Sequence, residues 1–131
     1  MIFKLNEKYE QQFIVSEDIY DEFIHVFNDK NPLHTNEQFA IEKGFKGKVM
    51  HGNILNGFLS FFIGECLPIK NVIIHSQEIQ FKNAVYLHDK LFLEAIIVGI
   101  FESVNTIEIK FNFKNSSLQT VAKGRIQIGT I

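Results

Sequence analysis

Tryptophan is absent, cysteine occurs once and proline twice in this chain of 131 residues. A lone cysteine, Cys66, rules out an internal disulfide and a multi-cysteine metal cage, and fits a reducing compartment, so a cytoplasmic location is expected. Pro32 and Pro68 both fall at element boundaries, and no Pro-, Gly- or Ser-rich linker divides the chain. At this length a second domain has no room: residues 1–131 read as one domain burying roughly two-thirds of the surface of its unfolded form. Positive charge is not in excess. The formal net charge is -2, which gives no overall field toward nucleic acid or an acidic membrane face, and neither is expected as a partner. Long apolar runs are missing too. The stretch Ile54 to Pro68 carries Asn56, Ser60 and Glu65 and is shorter than the roughly 20 residues of a membrane span. The first ten residues alternate apolar and charged, so no signal peptide is expected.

What is present is an ordinary globular composition, 46% hydrophobic and 21% charged, with 14 Phe supplying most of the aromatic content. Tyr9 to Val15 reads as a short strand. Ser16 then suits an N-cap, followed by Glu17 and Asp18, and Ile19, Phe23, Ile24 and Phe27 recur at helical spacing. That helix should stop near Asp29, because Pro32 drives Asn31 out of helical geometry. Asn36 to Lys43 can make one or two turns ending at Gly44 as a left-handed cap. From Asn53 to Cys66 the pattern is helical and apolar nearly all round, which predicts an enclosed helix. Four strands follow: Val72 to Lys82, Lys90 to Glu102, Thr106 to Lys114 and Leu118 to Ile128. The layout is α+β, an antiparallel sheet wrapped around a long buried helix.

Two titratable residues, Asp29 and His34, flank the rigid pair Asn31-Pro32. A carboxylate near a helix C-terminus is repelled by the dipole by a few tenths of a kcal/mol, and such a cost often marks a site. Five residues on and past the proline turn, His34 can face the same small space, where the two would hold one water as an acid/base pair. Taken alone the spacing is a weak signal and fits better an aspartate bonding its own turn and a histidine that caps the next helix at Asn36 or lies exposed.

A longer string resolves the choice. Phe27-Asn28-Asp29-Lys30-Asn31-Pro32-Leu33-His34, then Phe39-Ala40, Phe45 and Val49-Met50-His51-Gly52, resembles the hydratase motif of the MaoC-like family of (R)-specific enoyl-CoA hydratases. The likeness continues through Leu55, Phe58, Ser60, Gly64, Leu67, Pro68, Phe81-Lys82 and Asp89. The resemblance implies a single hot-dog domain acting as a homodimer or higher homo-oligomer. It also implies reversible hydration of a trans-2-enoyl thioester to the (R)-3-hydroxyacyl thioester, or the reverse dehydration. By the same resemblance Asp29 and His34 are the catalytic pair and Asn31 supports them. Gly52, opening the buried helix, would place free N–H groups at the thioester oxygen, and Ser60 would lie near the substrate. No separate cofactor is implied, since coenzyme A or acyl-carrier phosphopantetheine arrives as part of the substrate, and an acyl carrier protein is a possible partner.

Lys43, Lys46 and Lys48 carry local positive charge, and Lys46 and Lys48 are the candidate phosphate contacts. His51 can orient its loop, while His25, His75 and His88 lack paired ligand spacing, so no metal site is expected. Cys66 reads as packing, Glu65 as capping or solvent-facing. Three positions depart from the family pattern: Lys48 and Ala84 where proline is common, and His88 where glycine is usual in a turn, a conformation histidine tolerates better than most residues. Two alternatives stay open, a hot-dog acyl thioesterase using a helix carboxylate such as Glu65 and a non-catalytic acyl-binding hot dog. Phe58, Phe61 and Phe62 on the enclosed helix suggest a shallow acyl pocket and short chains.

Overall fold

A computed structural model of the chain describes residues 2–131. It contains five strands: β1 (Lys8–Ile14), β2 (Val72–Phe81), β3 (Lys90–Phe101), β4 (Thr106–Lys114) and β5 (Thr120–Thr130). All neighbours are antiparallel in one sheet of order β1-β3-β4-β5-β2. Period-2 alternation decides what the sheet buries. Leu91, Leu93, Ala95 and Ile97 of β3, Ile107, Ile109, Phe111 and Phe113 of β4, and Val121, Ile126 and Ile128 of β5 all point into one core. Burying one such large side chain contributes about 1.5–3 kcal/mol, which is why the central strands hold the fold together.

Against this concave face lies α4 (Asn53–Phe61), continued by a wider π-type turn over Phe62–Cys66. Ile54, Leu55, Phe58, Leu59, Phe62 and Ile63 form its buried side. Phe58 stacks on Phe13 of β1 at 4.4 Å between ring centroids, joining helix to edge strand. The helix is not enclosed all round, however. Asn53, Gly57, Ser60 and Phe61 are exposed, Phe61 by 49%. The sheet curls over one side only, and a five-stranded sheet from one chain has no second layer to cover the other.

Three short helices cross between β1 and α4. In α1 (Glu17–Phe27) the Ser16 hydroxyl accepts from the Ile19 N–H at 3.2 Å, the expected N-cap. It ends two residues before Asp29, because Asn28 takes a left-handed φ of 58° and donates to the Ile24 carbonyl at 2.7 Å. Asp29 therefore stands just beyond the helix in the following loop. The pattern also concealed a separate turn, α2 (Pro32–Thr35), with Asn31 as its N-cap and Pro32 in its first turn. Next, α3 (Glu37–Glu42) ends at Gly44, whose φ of 96° is the left-handed conformation glycine adopts most easily. His88 also adopts a left-handed φ, 73°, at the turn before β3.

Among the described residues no helix is long and apolar enough to cross a membrane. Strand β2 is the open edge beside β5, and its apolar Ile73 and Ile74 are exposed.

Candidate active site

The segment 45–52 is pinned between two others. Its Val49 N–H donates to the Leu33 carbonyl (3.0 Å), and its Met50 N–H donates to the Val85 carbonyl (2.8 Å). This draws α2, the start of α4 and the segment entering β3 to one place. Phe81, Asn83, Ala84 and Val85 line the far wall of a cleft of about 440 Å³ that also takes in His34, His51 and Gly52.

His34 in this cleft and Asp29 beside it are oriented by backbone groups. The His34 Nδ1–H donates to the Val49 carbonyl at 2.7 Å, so Nε2 is the nitrogen left with a lone pair. Asp29 is exposed, and its Oδ1 accepts from the Asn31 N–H at 3.2 Å. Asn31 does not reach either side chain with its own amide. Its Oδ1 instead accepts from the Leu33 N–H at 3.0 Å, and its carbonyl accepts from the His34 N–H at 2.9 Å. Support from Asn31 thus passes through the first turn of α2.

One histidine, read in the sequence only as orienting its loop, joins them. His51 is buried, its Nε2–H donates to the Asp29 carbonyl at 2.9 Å, and its ring lies 4.0 Å from that of His34. Asp29, His34 and His51 each offer one ligand-type atom, and these atoms lie within 4.8 Å of one another. By residue type the three are a donor set for a divalent cation, but with the His51 Nε2 bonded to the Asp29 carbonyl, the Asp29 carboxylate and the His34 ring are the groups left to hold a water.

Gly52 has φ -56° and ψ -34°, ordinary helical values, so no turn conformation requires glycine there. Space does. A Cβ at Gly52 would lie 2.9 Å from the Phe81 ring. The Ile54 and Leu55 N–H groups are already bonded to the His51 and Gly52 carbonyls, which leaves the Gly52 and Asn53 N–H groups at the positive end of α4.

A second cleft, about 720 Å³, opens on the other side of Asp29 between α1 and α4. Ile19, Phe23, Phe27, Gly57 and Phe58 line it, with Asn53 common to both clefts. Ser60 lies one helical turn beyond Gly57 on the exposed face of α4, and it lines neither cleft. Of the three aromatic residues read as pocket walls only Phe58 fronts the space, since Phe62 is in the core and Phe61 faces outward.

The lysines divide. Lys46 is exposed and its backbone N–H donates to the Tyr86 hydroxyl at 3.2 Å. Lys48 lays its ammonium 5.1 Å from the centre of the Tyr20 ring, a cation–π contact worth about 0.5–1 kcal/mol at such a site. Glu65, the carboxylate a thioesterase would need, is exposed beyond the last turn of α4 and pairs with Lys70 at 3.3 Å, outside both clefts. Burial pushes the neighbouring Cys66 thiol above its usual pKa, Lys70 lowering it and Glu65 raising it, which makes it a poor nucleophile.

A single curled antiparallel sheet holding one central helix, with an acid/base cluster where that helix begins, is a hot-dog domain. The model of the MaoC like domain matches residues 4–118, and the chain belongs to that family. It is 33% identical over 72 residues to an (R)-specific enoyl-CoA hydratase of Rhodospirillum rubrum, an alignment covering 55% of this chain and 50% of that protein. Over 118 residues it is 28% identical to a mitochondrial 3-hydroxyacyl-[acyl-carrier-protein] dehydratase of Arabidopsis thaliana, covering 88% of this chain and 69% of that one. The chain thus spans about half the length of the first relative and about two-thirds of the second. An (R)-hydratase from A. caviae involved in PHA biosynthesis superposes with a TM-score of 0.90 at 21% identity, covering 99% of this chain and 98% of that one, which shows the shared fold.

Proposed function

We propose that this chain catalyses the reversible hydration of a trans-2-enoyl thioester to the (R)-3-hydroxyacyl thioester. The observation that carries the reading is that a carboxylate oxygen of Asp29 and a ring nitrogen of His34 lie within 4.8 Å of one another, where two clefts meet at the start of α4. Water held between them attacks C3 of the enoyl chain while the pair accepts its proton. The C2=C3 electron pair moves toward the thioester oxygen, and the proton then returns to C2 on the same face, so that H and OH are added with nothing left over. Assistance of this kind is worth roughly two to four orders of magnitude in rate.

Negative charge building on the thioester oxygen would be met by the Gly52 and Asn53 N–H groups, a contribution on the order of a hundredfold. The proton transfers need no metal. No separate cofactor enters the reading, because the thioester carrier, coenzyme A or an acyl carrier protein's phosphopantetheine, belongs to the substrate. Lys46 is the better placed phosphate contact, Lys48 being held over Tyr20. Ser60 takes no part in the reading.

A second copy of the chain supplies the missing cover. Support for a homodimer comes from the open β2 edge with exposed Ile73 and Ile74, and from Phe61 on the uncovered side of α4. A cytoplasmic location agrees with the single free thiol.

Loss of enoyl absorbance on mixing with crotonyl-CoA, measured beside release of free thiol, tests the proposal. Hydration without thiol release is expected. Thiol release without hydration would make the chain a thioesterase, and neither signal on any short enoyl thioester of coenzyme A or acyl carrier protein would leave it a binding protein.

A further inference from the structure

His51 takes no part in the steps above, yet it is the most deeply buried polar side chain at the site, 3% exposed. Its ring sits between others: His34 at 4.0 Å between centroids, Phe23 at 4.7 Å and Tyr20 at 6.0 Å. Because Nε2 faces a carbonyl oxygen, which only accepts, Nε2 carries the proton and Nδ1 holds the lone pair. That Nδ1 is buried and has no partner among the described residues. A buried acceptor left unmade is unfavourable, so packing alone would favour a phenylalanine in this aromatic slot. What a phenylalanine lacks is the donor to Asp29.

Asp29 needs such a donor. It stands in an exposed loop between α1 and α2, and among the described residues no other side chain bonds its backbone. His34 is anchored independently, through Val49 and through the Tyr20 hydroxyl on its carbonyl. The turn through Asn31 ties the Asp29 carboxylate to the start of α2, but among the described residues only the His51 side chain bonds the Asp29 backbone, and the same ring lies against that of His34.

We propose that His51 is a positioning residue that sets the separation of Asp29 and His34, its Nε2–H holding the Asp29 carbonyl while its face holds the His34 ring. The proposal rests on the acid/base reading of that pair and deepens it. His51 exchanges no proton with substrate.

Two variants separate the donor from the ring. His51→Phe keeps the aromatic packing and removes the N–H, whereas His51→Gln restores a donor near the Nε2 position and removes the ring. In hydration assays, His51→Phe should keep its melting temperature and KM close to wild type while kcat falls about 10- to 100-fold, the scale expected for displacing a reacting group by about 1 Å. His51→Gln should recover part of that loss. The limbs of the kcat–pH profile should stay in place in both. Unchanged kcat in His51→Phe overturns the proposal, and so does disappearance of one limb, which would make His51 a proton carrier. Imidazole 15N spectra of the wild-type chain give a reading independent of turnover: a proton on Nε2 at position 51 is expected, and a ring protonated on Nδ1 alone contradicts the proposal. A wild type inactive on every enoyl thioester, with the Nε2–H form still observed, would mark failure of the proposed function rather than of the His51 geometry.

Discussion

The Tyr20 hydroxyl donates to the backbone carbonyl of His34 at 2.6 Å, tying the second turn of α1 to the short helix that carries the imidazole. Fourteen residues separate the partners in sequence, and Tyr20 is almost fully buried. Four-residue helices have little stability of their own, so α2 depends on such ties.

Tyr20→Phe tests that dependence. The ring, its packing and its contact with Lys48 survive the change, and only the hydroxyl is lost. Stability should fall by about 1 kcal/mol, the net value of one such bond, as read from urea midpoints at unchanged m-value. Turnover should fall several-fold with KM little altered, since His34 is less well held. A variant as stable and as active as wild type would show that the bond does not position the histidine.

At Gly52 the expected effects separate in the opposite way. The Phe81 ring facing a new Cβ is half exposed and free to turn, so Gly52→Ala should fold with a melting temperature within a few degrees of wild type. The methyl group would nonetheless occupy the approach to the first N–H groups of α4, and kcat/KM for an enoyl thioester should drop by at least about tenfold. Full activity in Gly52→Ala would remove the start of α4 from the account.

Chain length follows from the walls of the α1–α4 cleft. Phe23, Phe27 and Phe58 line it with rigid rings, and Phe58 stacks on Phe13. A four-carbon enoyl thioester should therefore be turned over faster than a twelve-carbon one, compared as kcat/KM on the same carrier. Faster turnover of the longer chain would contradict the pocket assignment.

Much of this arrangement is legible in the amino-acid order because it is local. The Ser16 cap, the Gly44 stop and the strand alternation each lie within a few residues, whereas the pairing of Asp29 with His34, weak as a local signal, is carried by the resemblance of the longer string to Gly52. The exposed side of α4 is less legible. Its Phe61 falls within an apolar run, and hydropathy does not distinguish a residue facing the sheet from one facing outward. His51 is the clearest case of what local pattern omits. Its roles depend on Asp29, 22 residues earlier, and on a loop whose position is set by hydrogen bonds to Leu33 and Val85. A single histidine beside a glycine carries no periodic signal. The four-residue α2 escaped notice for a related reason, being too short to show a hydrophobic period.

The central claim is that Asp29 and His34 act together on one water. Its most direct test is crotonyl-CoA hydration by Asp29→Asn, His34→Gln and the double variant, each confirmed folded. The account predicts that either single change lowers kcat/KM by about 10²- to 10⁴-fold and that the double variant is little worse than the poorer single, as expected of groups acting as a unit. Undiminished hydration in both single variants would contradict it.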